Sequence, residues 1–476
     1  MSRLQRTLSF SSVLAIVVGG VIGSGIFMKP ATMLSQLGSP LLLLLVWLVA
    51  GVVVLFGALT NAEAAALFPE TGGQYVFFEQ MYGRGFAFLY GWSAFAVFNT
   101  AGNASIAYVC STYADYFLHL PRLAPAVEQG VRIPLPGIGA FYPLQHLGLK
   151  LLTALLIVGF TWVNARSVRL GAGLQRLLTA LKLVAILLLV AGIFSSGQLQ
   201  PAFLFNEAMP VPAGWSLFTA FMAATAGAFW AYDGWNNVTF LAGEIRQPHR
   251  TIPRSLLAGL LICIAVYILL NSAFVLVLSP GSLAGSAFVA ADAAAAVWGA
   301  TGAALIVVLV VASTLGTTNS NVLATARVTF AMGTASRWFR PAAAVHPRWK
   351  TPAVALRYNA VWTVLLIFTG SFDALTDMLI FVSWFFYGMS ALGVMVLRVR
   401  MKEAVRPYRV WGYPVVPVVF VLFTGFFLAG TLYHDIQQYR QGVIPFVYSL
   451  LGVLIAAMGI PVYLLSGKRY ADAPGN

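Results

Sequence analysis

Ala226-Gly227-Ala228-Phe229-Trp230-Ala231-Tyr232-Asp233-Gly234-Trp235-Asn236 is the stretch on which the fold turns. It sits inside an apolar run at 215–241 and places an acid, a glycine and two indoles mid-segment. An unpaired Asp at the centre of a bilayer costs about 2.5–3.5 kcal/mol, so this one faces a polar cavity or a partner. Backbone polar groups in hydrocarbon must be satisfied, and a membrane helix is interrupted only where it lines a cavity. A second interruption stands in the first apolar run. There Gly19-Gly20-Val21-Ile22-Gly23-Ser24-Gly25-Ile26-Phe27 puts four glycines in seven positions, each costing about 1 kcal/mol in a helix relative to Ala. Gly19 and Gly23 also have the small-xxx-small spacing of a close helix crossing, and that spacing alone does not choose between crossing and break. The two stretches together do. They fall in the first and sixth of twelve runs, the same place in two five-helix halves. Paired interruptions of this kind point to a transport site between inverted repeats.

Working outward, the whole chain reads as membrane-embedded. Of its 476 residues 60% are apolar and 9% charged, against about 25% charged in soluble chains, and the mean hydropathy is +0.85. Soluble, disordered, fibrous and disulfide-rich classes are excluded. A membrane helix needs about 20 mostly apolar residues. The runs that qualify are 12–34, 40–66, 86–114, 148–166, 173–196, 215–241, 255–279, 301–330, 353–371, 374–398, 413–433 and 443–466. The expected fold is all-α and polytopic, with twelve transmembrane helices in one membrane domain surrounded by lipid. Residues 1–196 hold helices 1–5 as a first repeat, 215–398 hold helices 6–10 as a second, and 413–466 hold helices 11 and 12. An odd number of helices per repeat inverts the second relative to the first. The first run is not a cleaved signal, because eleven more follow and no small-residue cleavage site closes it.

The net charge of +14 would suit nucleic acid if it lined one polar face. It does not: the charges lie in short loops between apolar runs. With the N-terminus placed in the cytoplasm, 21 of the 28 Lys and Arg fall on the inner side and 4 on the outer. That bias puts both termini inside and supports an even number of spans. The other three, Lys29, Lys182 and Arg327, lie within helices. The outer loop at 115–147, with Pro121, Pro125, Pro134 and Pro136, reads as a cap. The loop at 280–300 reads as a short helical hairpin. Five scattered histidines build no metal cluster, and no phosphate-cradling or nucleophile motif is present. Neither a metal nor a cofactor is expected, nor an enzyme. Cys110 and Cys263 sit inside apolar runs, so no disulfide framework is implied.

Lys182, about nine residues into the fifth run, is too deep for easy snorkelling. Its expected partners are carbonyls freed by a broken helix and the polar groups of helix 8, where Ser313, Thr314, Gly316, Thr317 and Asn319 lie at similar depth. A purely structural lysine is the other reading.

These residues resemble the amino-acid permeases of the amino acid–polyamine–organocation superfamily, and most closely the L-type amino-acid transporter branch, relatives of the light subunits of heteromeric transporters. Six blocks in order carry the resemblance: Gly23-Ser24-Gly25-Ile26-Phe27 with Pro30; Glu63 with Pro69-Glu70-Thr71-Gly72-Gly73-Gln74-Tyr75; Gln175 to Lys182; Phe229 to Asn236 with Glu244, Pro248, Arg250 and Pro253; Ser313 to Arg327; and Arg406-Pro407-Tyr408-Arg409-Val410. The resemblance implies a LeuT-type 5+5 inverted repeat with helices 1 and 6 broken. It also implies sodium-independent amino-acid exchange by alternating access in the plasma (inner) membrane, most simply of small neutral amino acids. Backbone around Ile22, Gly23, Ser24, Gly25 and Ile26 should hold the substrate carboxylate at a half-helix N-terminus. Carbonyls near Phe229, Trp230 and Ala231 should take the α-amino group, and Trp230 should close over the substrate as a gate. Lys182 matches the family lysine that stands where sodium-coupled relatives hold sodium, with Ser313, Gly316 and Thr317 beside it. Two features depart from the branch. The loop 115–147 lacks the cysteine that ties eukaryotic members to a heavy chain, so no disulfide-linked partner is expected and the chain should work as a monomer. Asp233 replaces a small residue, which suits either a structural acid or a contact to dibasic substrates. A carrier of dibasic amino acids and a proton-coupled permease therefore stand as alternatives. A channel would want a continuous polar pore, and an intramembrane enzyme would want a catalytic constellation; the sequence shows neither.

Overall fold

The computed structural model describes residues 8–70, 72–166, 184–335, 339–349 and 351–465. The first part of the run expected for helix 5, residues 173–183, lies outside them, and Lys182 with it. Helices form where the apolar runs predict them. Helix α1 (Phe10–Val21) opens on Ser9, whose hydroxyl accepts the Ser12 N–H, the usual way to satisfy an orphan first-turn amide. It gives way to α2 (Gly25–Leu37) at a bend of 42°. α2 ends on Gly38 at φ 73°, the left-handed cap that glycine adopts without penalty. Then come α3 (Pro40–Leu67), α4 (Gln74–Tyr82), and α5 (Arg84–Ser93) joined through a π-helical turn to α6 (Asn99–Leu118). The outer loop carries α7 (Pro125–Gly130) and a hairpin of β1 (Ile133–Leu135) and β2 (Gly139–Phe141). After α8 (Leu147–Arg166) and the described part of the next run, α9 (Val184–Ser195), come α10 (Gly214–Tyr232), α11 (Asn237–Phe240), α12 (Pro248–Val277), α13 (Pro280–Ala284) and α14 (Val289–Ala335). The chain closes with α15 (Ala353–Ile367), α16 (Phe372–Arg400), α17 (Val415–Arg440), α18 (Tyr448–Ala457) and α19 (Gly459–Leu465).

Among the described residues seven helical stretches are long and apolar enough to cross a membrane: α3, α8, α12, the first 42 residues of α14, α16, α17 and the α18–α19 run. The bent pair α1–α2 makes an eighth, and α9 and α15 are shorter apolar helices. Exposed Leu155, Leu187 and Val361 give these helices the apolar outer faces that lipid requires. The chain is a polytopic helical membrane protein.

Four local features differ from, or refine, the expectation of plain helices. The all-α reading missed the β1–β2 hairpin, whose three-residue strands pair Ile133 with Phe141 and are too short to show as alternation. Its turn is built on Gly137 and Gly139 at φ 83° and 132°, backbone that favours glycine. The π turn at Ala94–Phe98 interrupts the third run. Gly299, at φ 68° and ψ −163°, kinks α14, so α13 and residues 289–298 are two short helical arms within the expected hairpin at 280–300. A turn at Met458 separates α18 from α19, near Pro461, which has no N–H to continue the ladder.

The chain divides into two compact units. The first comprises Met1–Ala87, Val184–Ile306 and Ser383–His434, the second Phe88–Leu183, Val307–Val382 and Asp435–Asn476. Each gathers segments from both of the ranges 1–196 and 215–398. In the first unit α3 packs along α12 and α10, α1 along α12, and α2 along α10. Its centre holds Trp47, Tyr232 and Tyr267, ring against ring. Leu8 pairs as a parallel bridge with Ile245, through Leu8 N–H to Glu244 O at 3.0 Å and Arg246 N–H to Leu8 O at 2.9 Å. In the second unit α6, α8 and α15 pack on one another. Amides knit this interior: Asn321 donates to Asn103 at 2.9 Å, Asn103 to Thr325 at 3.0 Å, and Asn164 to the Asn319 side chain at 2.9 Å.

Candidate substrate site at two helix breaks

Both breaks belong to the first unit, and they meet. Ile22 is extended at φ −68°, ψ 93°, which ends α1, and α2 restarts at Gly25. α10 ends at Tyr232, Asp233 is extended at φ −65°, ψ 164°, and α11 restarts at Asn237. The first contact is Gly25 against the end of α10. A Cβ on Gly25 would lie 2.6 Å from Trp230 Cε3 and 2.8 Å from the Ala231 Cα. The second is Gly234, at φ 94°, against α1: a Cβ there would lie 2.7 Å from the Gly20 carbonyl oxygen. Both glycines are there because two backbones touch. The crossing and the break, between which spacing alone did not choose, coexist.

The polar groups at this junction suit a small zwitterion. The first-turn N–H groups at the start of α2 stand at the positive end of a helix dipole, with that of Phe27 donating to the Ser24 carbonyl at 3.1 Å. Ser24 is 2% exposed, and its hydroxyl has no hydrogen-bond partner. At the opposite end, α1 and α10 leave last-turn carbonyls. The Tyr267 hydroxyl on α12 shares its one proton between Val21 O at 2.8 Å and Ala231 O at 2.7 Å, so one side chain ties both broken ends. Sequence reading missed Tyr267. Its only signal there is a hydroxyl inside a run of apolar residues, where polar groups face the protein interior.

The expected site residues fall as follows. Ile22, Gly23, Ser24, Gly25 and Ile26 form the first break and the start of α2, with Ile22 and Ile26 fully buried. Trp230 lies against Gly25. The Phe229 ring turns elsewhere, stacked on Trp384 at 3.4 Å between centroids and edge-on to Phe427, so Phe229 offers the junction only backbone. The Ala231 carbonyl, expected for a substrate amine, already accepts from Tyr267. Asp233 Oδ1 accepts the Tyr387 hydroxyl at 2.7 Å. Ser313, Gly316 and Thr317 lie on α14 in the second unit. There Thr317 bonds back to the Ser313 carbonyl at 3.0 Å, and the buried Ser313 hydroxyl has no partner.

Two further clusters bind the blocks quoted from the sequence. Asn61 on α3 donates to Asn236 Oδ1 at 2.6 Å and accepts from Ser390 at 2.7 Å, anchoring the second break to α3 and α16. Glu63, two residues on, receives Arg398 Nε at 2.8 Å and Nη2 at 2.6 Å, Arg406 Nε at 3.4 Å, and the Val410 N–H at 2.8 Å. The acid near the end of α3 and the basic motif at 406–410 are thus one cluster. Outside the spans, burial and the Glu63 carboxylate push the Tyr408 phenol up to about 12.

Comparison with known proteins agrees with this arrangement. The model of the amino acid permease family matches residues 8–460. This chain belongs to that family. The permease is 30% identical to the serine/threonine exchanger SteT of Bacillus subtilis (strain 168), over 98% of each chain. It is 30% identical to the large neutral amino acids transporter small subunit 2 of Homo sapiens, over 97% of its own length and 80% of that protein's. It is 29% identical to the b(0,+)-type amino acid transporter 1 of Mus musculus, over 89% and 82%. The expected family is therefore the right one, and these relatives carry solutes rather than transform them.

Proposed function

We propose that the permease is a sodium-independent exchanger of small neutral L-amino acids working by alternating access. The observation that carries the reading is the junction of Gly25 with Trp230 and Ala231: the first-turn backbone of α2 and the unpartnered Ser24 hydroxyl on one half-helix, an indole at the end of the other. A carboxylate would sit on the α2 amides around Gly23, Ser24 and Gly25, and the indole of Trp230 would swing over it. The breaks supply hinges, since backbone at Ile22 and at Asp233–Gly234 has already left helical geometry.

The finer architecture belongs to the same reading: twelve spans, a LeuT-type pair of inverted repeats at 1–196 and 215–398, and helices 11 and 12 at 413–466. The packing supports it. α1 lies on α12 while α10 lies on α3, so the first helix of each proposed repeat rests on the second helix of the other. Both termini are cytoplasmic in a plasma membrane, by the charge bias, and the chain acts as a monomer without a disulfide-linked heavy chain, a reading supported by the burial of Cys110 and Cys263, neither of which is in a disulfide. Lys182 acts with Ser313, Gly316 and Thr317 in place of sodium; the unpartnered Ser313 hydroxyl supports this. The dibasic alternative loses ground because the Asp233 carboxylate is already engaged by Tyr387.

The test is labelled serine uptake into proteoliposomes with and without internal serine, in sodium and in choline. Saturable uptake stimulated by internal serine and equal in both salts is expected. A steep sodium requirement would remove the lysine analogy, and uptake indifferent to internal substrate would remove exchange.

A further inference from the structure

Leu151, Leu155, Val158, Trp162 and Arg166 are all exposed on α8. Their spacing puts them on one helix face, an apolar stripe for lipid that ends in an indole and a cation. The Arg166 guanidinium carbon stands 3.9 Å from the centre of the Trp162 ring and 5.7 Å from that of Trp349. Trp349 is itself held by a tight turn. The His346 N–H donates to Thr351 O at 2.8 Å, and His346 Nδ1 accepts the N–H groups of Arg348 and Trp349 at 3.3 and 3.2 Å. The imidazole stacks on the Trp349 ring at 4.0 Å between centroids. The Thr351 hydroxyl donates to Ala165 O at 2.6 Å, which fastens the turn to the end of α8. Exposed Arg348 belongs to this turn. α15 follows it, packs along α8, and carries its own exposed stripe of Arg357, Val361 and Leu365. The ion pairs among the described residues join Arg84, Arg122, Arg398 and Arg406 to acids; Arg166 and Arg348 are in none. A guanidinium stacked by its face on an indole keeps its N–H edge open to a phosphate.

We propose that this end of α8 is a binding site for a phospholipid of net negative charge, with Arg166 and Arg348 on the headgroup phosphate and the acyl chains along the exposed stripes of α8 and α15. The site stands apart from the Gly25–Trp230 junction and does not depend on the exchanger reading. Two observations favour a lipid over a soluble anion. The cations close an apolar stripe that faces hydrocarbon, and the charge bias assigns this end of α8 to the cytoplasmic surface, the leaflet in which anionic lipids attract basic residues. The stack on Trp162 and the turn at 346–351 fix both cations before a lipid arrives, so less side-chain freedom is lost on binding.

The experiment titrates the purified permease in an uncharged detergent with dioleoylphosphatidylglycerol, with dioleoylphosphatidylcholine and with inorganic phosphate. It reads the thermal midpoint, which a ligand of the folded state raises. One cation at a lipid surface is worth about fivefold in binding. With two, phosphatidylglycerol should reach half its effect at a mole fraction about 25-fold below that of phosphatidylcholine. Arg166→Gln and Arg348→Gln should each narrow that ratio about fivefold. Arg340→Gln, at an exposed arginine outside the site, should keep it. An equal response to the two lipids in the wild type overturns the site, whether or not any variant folds. An unchanged ratio in folded Arg166→Gln overturns it as well; should that protein not fold, an unchanged ratio in Arg348→Gln, whose side chain is exposed, does the same. Equal narrowing by Arg340→Gln replaces the site with the diffuse attraction of a basic surface. Inorganic phosphate reproducing the phosphatidylglycerol shift makes it a site for a soluble anion and overturns the lipid.

Discussion

Replacing Gly25 with Ala tests the junction most directly. The new methyl would meet Trp230 Cε3 at 2.6 Å, Cζ3 at 2.7 Å and the Ala231 Cα at 2.8 Å. An indole can rotate away, but the Ala231 backbone cannot. Overpacking of this kind costs about 1–3 kcal/mol, and contact with backbone puts it at the upper end. Removing a helical glycine returns up to about 1 kcal/mol, which leaves a net cost of about 2 kcal/mol for the state in which the two breaks touch. If transport must pass through that state, exchange falls by about 30-fold. The assay is serine exchange in proteoliposomes together with the thermal midpoint of the purified protein, so that loss of transport is separated from loss of fold. The double variant Gly25→Ala, Trp230→Ala should recover part of the lost stability, because two of the three close contacts vanish and the Ala231 contact stays. Such coupled pairs deviate from additivity by about 0.5–3 kcal/mol. Gly25→Ala with unchanged exchange and unchanged midpoint would refute the account of the junction.

Tyr267→Phe should destabilise by about 1–3 kcal/mol, since buried carbonyls at Val21 and Ala231 lose their shared donor; a thermal midpoint equal to the wild type's would contradict that role. Glu63→Ala should cost about 3–5 kcal/mol by stranding the guanidinium groups of Arg398 and Arg406; it is read by thermal unfolding, and a cost under about 1 kcal/mol would mean that water already shields them. Trp230→Ala should leave the α2 amides able to bind serine, seen as a retained serine-dependent thermal shift, while exchange drops by tenfold or more; wild-type exchange would remove the lid.

The coarse architecture was legible because hydrocarbon enforces a rule that residues cannot evade. Long apolar runs, the glycines between Gly19 and Gly25, and Asp233 in the middle of a run are each visible without knowing a partner. What stayed hidden are partnerships across distance. Asn61, Asn236 and Ser390 look like three unrelated polar residues, and only the packing of α3, the second break and α16 makes them a chain. Tyr267 read as one more aromatic in an apolar run, with nothing local to say that its hydroxyl reaches Val21 and Ala231. The β1–β2 hairpin hid because three residues are too few for a period. Phe229 enters the expected site through its backbone carbonyl, by the family resemblance, and nothing in the sequence tells that its ring stacks among the α16–α17 aromatics.

The pairing of Leu8 with Ile245 has a mechanical consequence. The residues entering α1 and those leaving the second break are sewn together by two backbone hydrogen bonds, Leu8 to Glu244 and Arg246 to Leu8. Because these are main-chain bonds, no substitution short of proline at Leu8 or Arg246 removes a donor. A swing of α1 must then either drag the segment after α11 along with it or unpick both stitches first. In the first case the two breaks flex as a single linkage. In the second, the stitches act as a catch, holding the helix until thermal motion releases it and setting the tempo of the cycle rather than its direction.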